Sequence, residues 1–250
     1  SGTSVVQASL AACQATGVPT AMYGSGALNS PAGQYNFLQG GNPTLTPEES
    51  ETLTFGVVLQ PSFLPGFSLT VDYFDIQIEN LVSSVGALNA INACYYNNVA
   101  SACSLIQRNA AGQLWVGSGN VQDLNTNIGG LSTSGIDIQA NYRVDLADWG
   151  LNGAGSLGFA LVGTLLSSLE TDTGLGFADS VYDCAGFYAN QCGVPNPEWR
   201  HRLRVDWSTP VQGLSISGTW RYYGEAEIAV LGADGSLNNG GSRIDRHFDA

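Results

Sequence analysis

The chain has 250 residues and a formal net charge of −13, with 21 acidic side chains against 8 basic ones, all arginine. This balance argues against a nucleic-acid-binding protein, which needs a basic surface to neutralise phosphates. Charged residues make up only 12% of the sequence, well below the share of roughly 25% that is usual in soluble domains. No run approaches 18 consecutive apolar residues, so no transmembrane helix is predicted, and no signal peptide opens the chain.

The first 41 residues are rich in Gly, Ala, Ser and Pro and are predicted to form a loop, so that residues 1–49 make a loop and the lead into a first strand. Beyond them, six stretches alternate apolar and polar residues with a period of two, which predicts strands with two different faces. These strands are expected at about residues 50–60, 67–79, 135–146, 155–166, 199–207 and 214–223, with the start of a seventh at 245–250.

The connections between these strands alternate in length. Short turns join the two strands of each pair, whereas long loops at residues 80–130, 167–197 and 224–243 separate the pairs. A small hairpin is expected inside the first long loop, with 104–108 paired to 113–116. Short turns on one side and long loops on the other are typical of a bacterial outer-membrane barrel.

The clearest strand has an unbroken apolar row and a polar row. Ile136, Ile138 and Val144 point to one side, and Asp137 and Arg143 to the other. Such a strand fits a wall between lipid and water. Six or seven strands do not close a membrane barrel, whose minimum is about eight, and open edges in lipid leave backbone groups unpaired. We therefore expect the remaining strands to lie in sequence outside this chain.

Two other protein classes fit the same pattern. One is a secreted or surface β-sandwich that binds carbohydrate or a protein partner, and the other is a passive porin, which the cysteine-bearing loops oppose. The direction of the apolar faces separates barrel from sandwich. In a barrel they form one outward band, whereas in a sandwich they meet a second sheet. The residues that decide this are Ile136, Ile138, Val144, Leu203, Val205 and Leu214.

Four of the five cysteines form two close pairs, each inside a long loop. Cys94 with Cys103, and Cys184 with Cys192, are expected to form disulfides, which implies an oxidising compartment. Each would contribute roughly 2–3 kcal/mol by loop-closure entropy. A zinc site is the alternative, but no histidine accompanies either pair. Cys13 is left over, so it is either free or its partner lies outside the chain.

One segment, GGNPTLTPEESET at residues 40–52, is a more specific signal than the two-residue alternation of the strands. Its Asn42, Pro43, Leu45, Pro47 and Glu48 resemble a motif of TonB-dependent outer-membrane receptors, where it leads into a strand of the C-terminal half of the barrel. The resemblance continues through FSLTVDYFDIQI at 67–78 and Gly135-Ile136-Asp137 and covers about residues 35–225. The prolines also hold the backbone extended before strand pairing begins.

The resemblance implies that residues 1–250 are part of an all-β, antiparallel barrel domain: a sector of six or seven strands from a larger, 22-stranded transmembrane barrel, with long disulfide-bearing extracellular loops. Such receptors import ferric siderophores, cobalamin or oligosaccharides across the outer membrane. A plug, which this chain does not contain, connects them to the TonB complex. The expected partners are outer-membrane lipid, the TonB complex, the rest of the barrel and an unknown ligand. No enzymatic activity, cofactor or metal site is expected.

Arginines concentrate on one predicted strand face. Under the barrel interpretation this face points into the lumen, where it either attracts an anionic ligand or forms a salt-bridged wall, with the second interpretation favoured. The predicted lumen-facing arginines are Arg143, Arg200, Arg202, Arg204 and Arg221, and the predicted acidic partners are Asp72, Asp137, Asp145 and Asp206 or carboxylates of the plug.

The long loops hold further candidates. Their aromatic residues either stack on a ligand or form small loop cores, the latter being favoured; these are Tyr95, Tyr96, Trp115, Tyr182, Phe187 and Tyr188. Their carboxylates offer oxygen ligands for calcium but lack EF-hand spacing; these are Asp172, Asp179, Asp183 and Asp234. For catalysis the sequence offers little, since His201 and His247 are the only histidines and no nucleophile motif is present.

Overall fold

The computed structural model describes residues 8–174, 181–189, 192–231, 237–244 and 247–249. The helices are α1 (Leu10–Ala15), α2 (Ala87–Tyr95) and α3 (Ala100–Ser104), with 3-10 turns at Thr20–Met22, Gly26–Leu28 and Leu146–Trp149. The strands are β1 (Phe37–Gly40), β2 (Glu49–Leu59), β3 (Phe67–Glu79), β4 (Val82–Ser83), β5 (Ile106–Gln107), β6 (Asn120–Leu124), β7 (Thr126–Asn127), β8 (Gly130–Asp145), β9 (Ser156–Asp172), β10 (Val181–Asp183), β11 (Phe187–Tyr188), β12 (Trp199–Ser208), β13 (Ser215–Tyr223), β14 (Ala226–Leu231), β15 (Leu237–Ile244) and β16 (His247–Asp249).

The chain divides into two compact units. The loop unit comprises Ser1–Glu49, Ile78–Gly130 and Asp172–Val181, and the sheet unit comprises Ser50–Gln77, Leu131–Thr171 and Tyr182–Ala250. Among the described residues, no helix is long and apolar enough to cross a membrane.

The sheet unit is built on one large sheet whose long strands lie side by side in chain order. Its order is β2-β3-β8-β9-β12-β13-β16, with β10 paired to β9. Strand β12 pairs antiparallel with β9 on one side and β13 on the other, and β16 pairs antiparallel with β13. A smaller sheet, β11-β14-β15, takes its first strand from inside the loop that the disulfide Cys184–Cys192 closes. The fold is therefore all-β and antiparallel in its main sheet, as predicted.

Tight turns join the paired strands. Between β8 and β9, the Asp145 carboxylate accepts a hydrogen bond from the backbone N–H of Ala147 (2.9 Å), and Gly150 ends the 3-10 turn in the left-handed region (φ 82°). Between β12 and β13, Gly213 also has positive φ (80°), and the Leu214 carbonyl accepts hydrogen bonds from the N–H (3.3 Å) and hydroxyl (2.8 Å) of Thr209. Glycine adopts this backbone conformation without steric penalty.

One face of the main sheet is apolar, and no second layer covers it in the described part of the chain. Aromatic rings form a row across neighbouring strands, with Tyr142 6.4 Å from Phe67 and 6.3 Å from Phe159 between ring centroids. Of the hydrophobic side chains on β2, β3, β8, β9, β12 and β13, Val144 alone is buried. Ile216 on β13 remains 53% exposed. A β-sandwich requires a second sheet over this face, so the sandwich interpretation is wrong.

The largest cluster of buried side chains lies in the loop unit instead. It packs α2 and α3 against β5 and β6, and the disulfide Cys94–Cys103 joins the two helices with Cys94 fully buried. The buried members are Val85, Ala90, Ala93, Cys94, Ala102, Ile106, Leu114 and Val121. Both predicted disulfides are confirmed, and Cys13 is a free thiol.

An arginine ties the N-terminal segment to this cluster. The Arg108 guanidinium donates to the hydroxyls of Thr16 (3.2 Å) and Tyr95 and to the Gly112 carbonyl (2.7 Å). The Thr16 hydroxyl in turn donates to the carbonyl of Cys13 (2.9 Å). Burial raises the pKa of the Cys13 thiol, an effect that the nearby Arg108 charge partly offsets.

The loops contain more regular structure than the sequence predicts. The stretch before residue 42 holds α1 and β1, and the predicted hairpin of 104–108 with 113–116 is wrong, since β5 pairs antiparallel with β6. Strands β8 and β9 run past the predicted limits because backbone pairing continues through polar residues that carry no apolar alternation. The last loop contains β14 and β15, and of the predicted seventh strand only 247–249 falls within the described residues.

Removing the Cys94–Cys103 disulfide should loosen the loop unit selectively. In the intact protein, the double variant Cys94→Ala/Cys103→Ala loses a crosslink worth roughly 2–3 kcal/mol, so limited proteolysis should cut within 78–130 faster than in the parent. The matched control is Cys184→Ala/Cys192→Ala, which should leave the cleavage rate in 78–130 unchanged. Equal rates in the parent and in the Cys94 variant would contradict this assignment.

Candidate functional site

The predicted arginines of β12 and β13 share one face of the main sheet. In an antiparallel pair, directly opposed residues project to the same side. The register opposes Arg200 to Tyr223, Arg202 to Arg221 and Arg204 to Thr219. On the other side of β12, Arg200 is opposed to Thr164 of β9. Alternation along β12 thus separates these arginines from His201, Leu203 and Val205, which belong to the apolar face. We call this polar side the arginine face.

The arginine face extends to β8 through a side-chain hydrogen bond. The Thr164 hydroxyl donates to the Asp137 carboxylate at 2.7 Å, so Asp137 lies on the same face. Alternation along β8 then brings Arg143, which is exposed, to this face as well. The five arginines thus lie on one face of the main sheet, and the prediction that this face points into a lumen stays a prediction.

Among the side chains that the structure describes, which do not include Asp249 opposite Arg221 on β16, charge pairing on this face is sparse. Arg204 is neutralised by Asp206, whose carboxylate oxygens lie 2.7–3.0 Å from the guanidinium nitrogens. It is the one ion pair within 4.0 Å recorded among the described residues. Asp137 accepts from Thr164 instead, and Asp145 caps the turn at Ala147. Within the described residues, a salt-bridged wall forms at Arg204 only.

A shallow recess of about 260 Å³ lies among these arginines. Its lining includes Arg200, Arg202 and Arg221 together with Thr164 and Tyr223. The recess therefore joins guanidinium donors from two adjacent strands with hydroxyl groups, which is a donor-rich surface suited to oxygen anions.

The opposite face at the same level carries an aromatic cluster around His201. The Trp199 indole N–H donates to the Nδ1 of His201 (2.9 Å), and the imidazole lies 5.0 Å from the Trp220 ring and 5.1 Å from the Tyr222 ring. Amphipathic rings of this kind are enriched where a membrane meets water. The histidine thus serves packing in this cluster.

Two residues of the motif segment, Thr46 and Glu48, form a clamp with Asn127 and Val82. The Asn127 side chain accepts from the Thr46 N–H (2.7 Å) and donates to the carbonyls of Thr46 and Asn80 (2.8 Å each). The Glu48 carboxylate accepts from the N–H of Val82 (2.8 Å). These bonds fix the chain that leads into β2 against the segment that follows β3.

Asn42 has a local role in the same motif. Its side-chain oxygen accepts from the N–H (2.9 Å) and hydroxyl (2.7 Å) of Thr44, which forms a tight Asx turn. Asn80, one of the clamped residues, has a positive φ of 53°, a conformation in which asparagine is enriched. The sequence motif is therefore a structural device.

The disulfide loop of the sheet unit borders an acidic cleft of about 370 Å³. Glu198, Glu225 and Glu227 line it together with the rings of Phe187 and Trp199. Asp183, one of the carboxylates weighed as a calcium ligand, accepts from the N–H groups of Leu169 (2.8 Å) and Ala185 (2.9 Å). No group of His, Cys, Asp or Glu side chains in the described ranges is arranged to hold a metal.

The other loop residues that the sequence singled out either make local contacts or lie outside the described residues. The Asp172 carboxylate accepts from the Gly174 N–H (2.8 Å), Tyr95 bonds Arg108, and Trp115 makes an edge-to-face contact with Tyr35 (6.2 Å). Asp179 and the side chains of Asp234 and His247 lie outside the described residues.

The sequence did not indicate the structural roles of two polar residues of the loop unit. No sequence motif near Asn127 indicates the three hydrogen bonds that its side chain makes. Asp123, which is buried, accepts from the N–H of Gly86 (2.8 Å) and from the Gln39 amide (3.3 Å). The sequence offered one signal for Asp123, because an acidic residue in the alternating strand β6 can be buried only if its carboxylate has hydrogen-bond partners.

Replacing Asn127 should open the clamp. Asn127→Ala removes three hydrogen bonds, each worth about 0.5–1.5 kcal/mol, so amide hydrogen exchange in residues 42–49 of the intact protein should accelerate on the order of tenfold or more. The control is Asn125→Ala, because no side-chain hydrogen bond of the exposed Asn125 is recorded within the described part. Unchanged exchange in the Asn127 variant would refute the clamp.

Comparison with known proteins gives one family match and several distant structural likenesses. The sequence matches the family described as TonB dependent receptor-like, beta-barrel, over residues 7–245. No curated protein matches the chain.

Among solved structures, a mutant ferric enterobactin receptor from Pseudomonas aeruginosa is similar at 12% identity with a TM-score of 0.48, covering 80% of this chain and 22% of the other. Another mutant of it, in complex with enterobactin, has 13% identity, a TM-score of 0.49 and coverages of 86% and 25%. The FrpB iron transporter from Neisseria meningitidis has 11% identity, a TM-score of 0.44 and coverages of 84% and 24%.

The chain thus spans about a quarter of the length of these solved structures. At such identities and TM-scores these likenesses add nothing to the assignment, which rests on the family match. Because that match extends over nearly the whole sequence, the chain belongs to the TonB-dependent receptor β-barrel family.

Proposed function

We propose that this chain forms a sector of the wall of an outer-membrane receptor that actively imports a scarce ligand. The apolar face of the main sheet contacts lipid, and the arginine face points into the lumen. One observation carries the proposal: the apolar face is continuous across neighbouring strands, yet no protein layer covers it among the described residues. Contact of an apolar surface with lipid hydrocarbon is favourable, whereas its contact with water is unfavourable.

The partners of the proposed receptor follow from its family. The remaining strands complete the barrel between β2 and β16, the two edges of the main sheet, because an unpaired edge in lipid leaves several backbone groups without hydrogen bonds. The TonB complex, which acts through a plug domain, supplies the energy for uptake, and the long loops that follow β3 and β9 face the outside. The disulfides of these loops fit an oxidising exterior. The chain itself performs no chemical reaction in this proposal.

The ligand of the receptor is a small molecule bound from the outside. Specificity belongs to the long loops and to the charged lumen wall, because these carry the functional groups of the described chain. The long loops contribute the acidic cleft beside Cys184–Cys192, and the wall contributes the arginine face.

Epitope insertion tests the orientation in living cells. A short tag after Gly117, in the first long loop, should be detected by antibody on intact cells that produce the full receptor. A matched tag after Gly213, in the β12–β13 turn, should be detected only after the outer membrane is permeabilised. Both glycines are exposed, and no atom lies within 4 Å of a Cβ built at either one, so each tag begins at an open surface.

Each outcome of this experiment decides the proposal. Detection of the Gly213 tag on intact cells, or recovery of both tagged proteins in the soluble fraction without detergent, would overturn it. Heat-modifiable migration of both tagged proteins on a gel shows that the barrel still folds.

A further inference from the structure

On β3 and β8, the side that is apolar near the β2–β3 turn becomes polar towards the other end of the strands. The rings of Phe67 and Tyr142 meet on the apolar face (6.4 Å). Further along β3, the Phe74 ring covers Gly135, where a built Cβ would collide with it. Both pairs belong to one uninterrupted antiparallel register. Because successive side chains alternate, Phe74 lies on the arginine face, opposite to Phe67.

The same register determines which residues follow on the apolar side. It opposes Tyr73 to Ile136 and Asp75 to Ser134. The Tyr73 ring still contacts Phe55 of β2 (5.4 Å between ring centroids). This side is therefore apolar as far as Tyr73 and Ile136, and polar from Asp75 and Ser134 onwards.

The polar side chains beyond this point are hydrogen-bonded to one another on three adjacent strands. The Asp75 carboxylate accepts from the Tyr73 hydroxyl (3.2 Å) and from the Gln77 amide (3.4 Å). The hydroxyls of Ser134 and Ser168 share a hydrogen bond (2.7 Å). We call Asp75, Gln77, Ser134 and Ser168 the polar row.

We propose that the polar row contacts the headgroups of the lipid bilayer, and that contact with hydrocarbon ends on these strands at Tyr73 and Ile136. The inference rests on the proposed function in placing the apolar face toward lipid. It adds the depth of the sheet in the bilayer, which the apolar character of the face alone does not determine. The polar row directly continues the surface that hydrocarbon covers, so the next layer of the same bilayer meets it.

The height of the apolar side supports this depth. From Phe67 to Asp75 the strand rises about 3.3 Å per residue, which at a barrel tilt of about 35–45° gives roughly 20 Å along the membrane normal. Phe63, in the turn that precedes β3, is 86% exposed and extends the apolar surface at the other end. The total approaches the apolar band of about 25 Å that is usual for outer-membrane barrels. The polar row therefore lies where the hydrocarbon layer ends.

The chemistry of the polar row fits headgroups that donate hydrogen bonds. Asp75 is its one charged side chain and accepts hydrogen bonds only, and the serine hydroxyls accept as well as donate. Strands β3 and β9 contain no arginine, and the arginine of β8 lies on the opposite face. Ammonium and hydroxyl groups of lipids therefore match this row better than a bare phosphate does.

Depth-dependent fluorescence quenching of the intact receptor in phosphatidylethanolamine vesicles tests the inference. In a Cys13→Ala background, a fluorophore is attached to a cysteine that replaces Val71, Ile76 or Gln77, one position in each variant. The quencher is a nitroxide lipid that carries its spin label either on the headgroup or in the middle of the acyl chain. The headgroup quencher should act more strongly at 77, and the chain quencher more strongly at 71.

Ile76→Cys is the matched control, because it is adjacent to Gln77 but lies on the arginine face. The label at 76 should be quenched weakly by both lipids. The inference is overturned if the chain quencher acts more strongly at 77, since the row then lies inside the hydrocarbon. It is also overturned if neither lipid quenches the label at 77, since protein then covers the row.

Extending the apolar side should move the boundary between hydrocarbon and headgroups. Asp75→Leu/Ser134→Leu replaces two opposed members of the polar row, so hydrocarbon should cover them and the headgroup-to-chain quenching ratio at 77 should fall. Thr70→Leu, an apolar change on the arginine face of β3, should leave this ratio unchanged. The same ratio in the double variant as in the parent would contradict the assignment. Heat-modifiable migration on a gel checks that every variant is folded.

The label at 71 separates this inference from the proposed function. If chain nitroxides quench the label at 71 but the label at 77 does not respond as expected, the headgroup contact is rejected and the lipid-facing sheet stands. If neither lipid quenches the label at 71, the lipid-facing sheet itself is rejected.

Discussion

The structure of the sheet unit depends on one constraint: an apolar surface that spans several strands must be removed from water. In a soluble β-protein a second sheet or a helix layer meets this demand. The described chain provides no such layer, and apolar side chains in the middle of a strand remain exposed. Phe55 on β2, for example, is 65% exposed. The hydrophobic cluster that does exist belongs to the loop unit, where α2, α3, β5 and β6 pack around Cys94. The loop unit thus buries apolar side chains by its own packing, whereas in the proposed receptor the apolar face of the sheet is buried by lipid.

The same constraint explains the distribution of charge. The chain is strongly acidic overall, yet five of its eight arginines lie on the polar face of the main sheet. A charged side chain on the lipid side is destabilising by about 2–4 kcal/mol near the membrane centre, so period-two alternation confines the arginines to one side. Within that side, Asp206 neutralises Arg204, whereas Arg202 and Arg221 face each other. Arg221 is in turn directly opposed to Asp249 of β16.

The main sheet was predictable from the sequence where alternation is unbroken. Strands β2, β3, β12 and β13 lie within one residue of their predicted ends because each keeps an apolar row to its last residues. The far end of β9 was missed because Ser167, Ser168 and Glu170 continue the backbone pairing without an apolar row. The alternation of polar and apolar residues was enough to predict that the five arginines share a face. The direct pairing of Arg202 with Arg221 depends on the register between β12 and β13, which alternation within each strand does not determine.

The loop unit was largely unpredictable for a different physical reason. Its helices have five to nine residues, too few for a reliable 3.6-residue period, and its packing depends on long-range contacts around Cys94. Asn127 and Arg108 hold segments that are far apart in the chain, and neither sits in a local motif that indicates this role. The cysteine spacing predicted both disulfides, and the Asn42–Glu48 motif predicted the family, but neither revealed the hydrogen bonds that make the motif a clamp.

Site-directed spin labelling of β13 tests the central claim most directly. In a Cys13→Ala background, nitroxides are placed by cysteine substitution at the neighbouring residues Ile216 and Ser217 of the intact receptor in lipid bilayers. Collision with oxygen, which concentrates in lipid, and with a water-soluble nickel chelate is then measured. The account predicts that the label at 216 collides preferentially with oxygen and the label at 217 does not. Preferential collision of the 216 label with the nickel chelate, or the same oxygen accessibility at both sites, would contradict a lipid-facing apolar sheet.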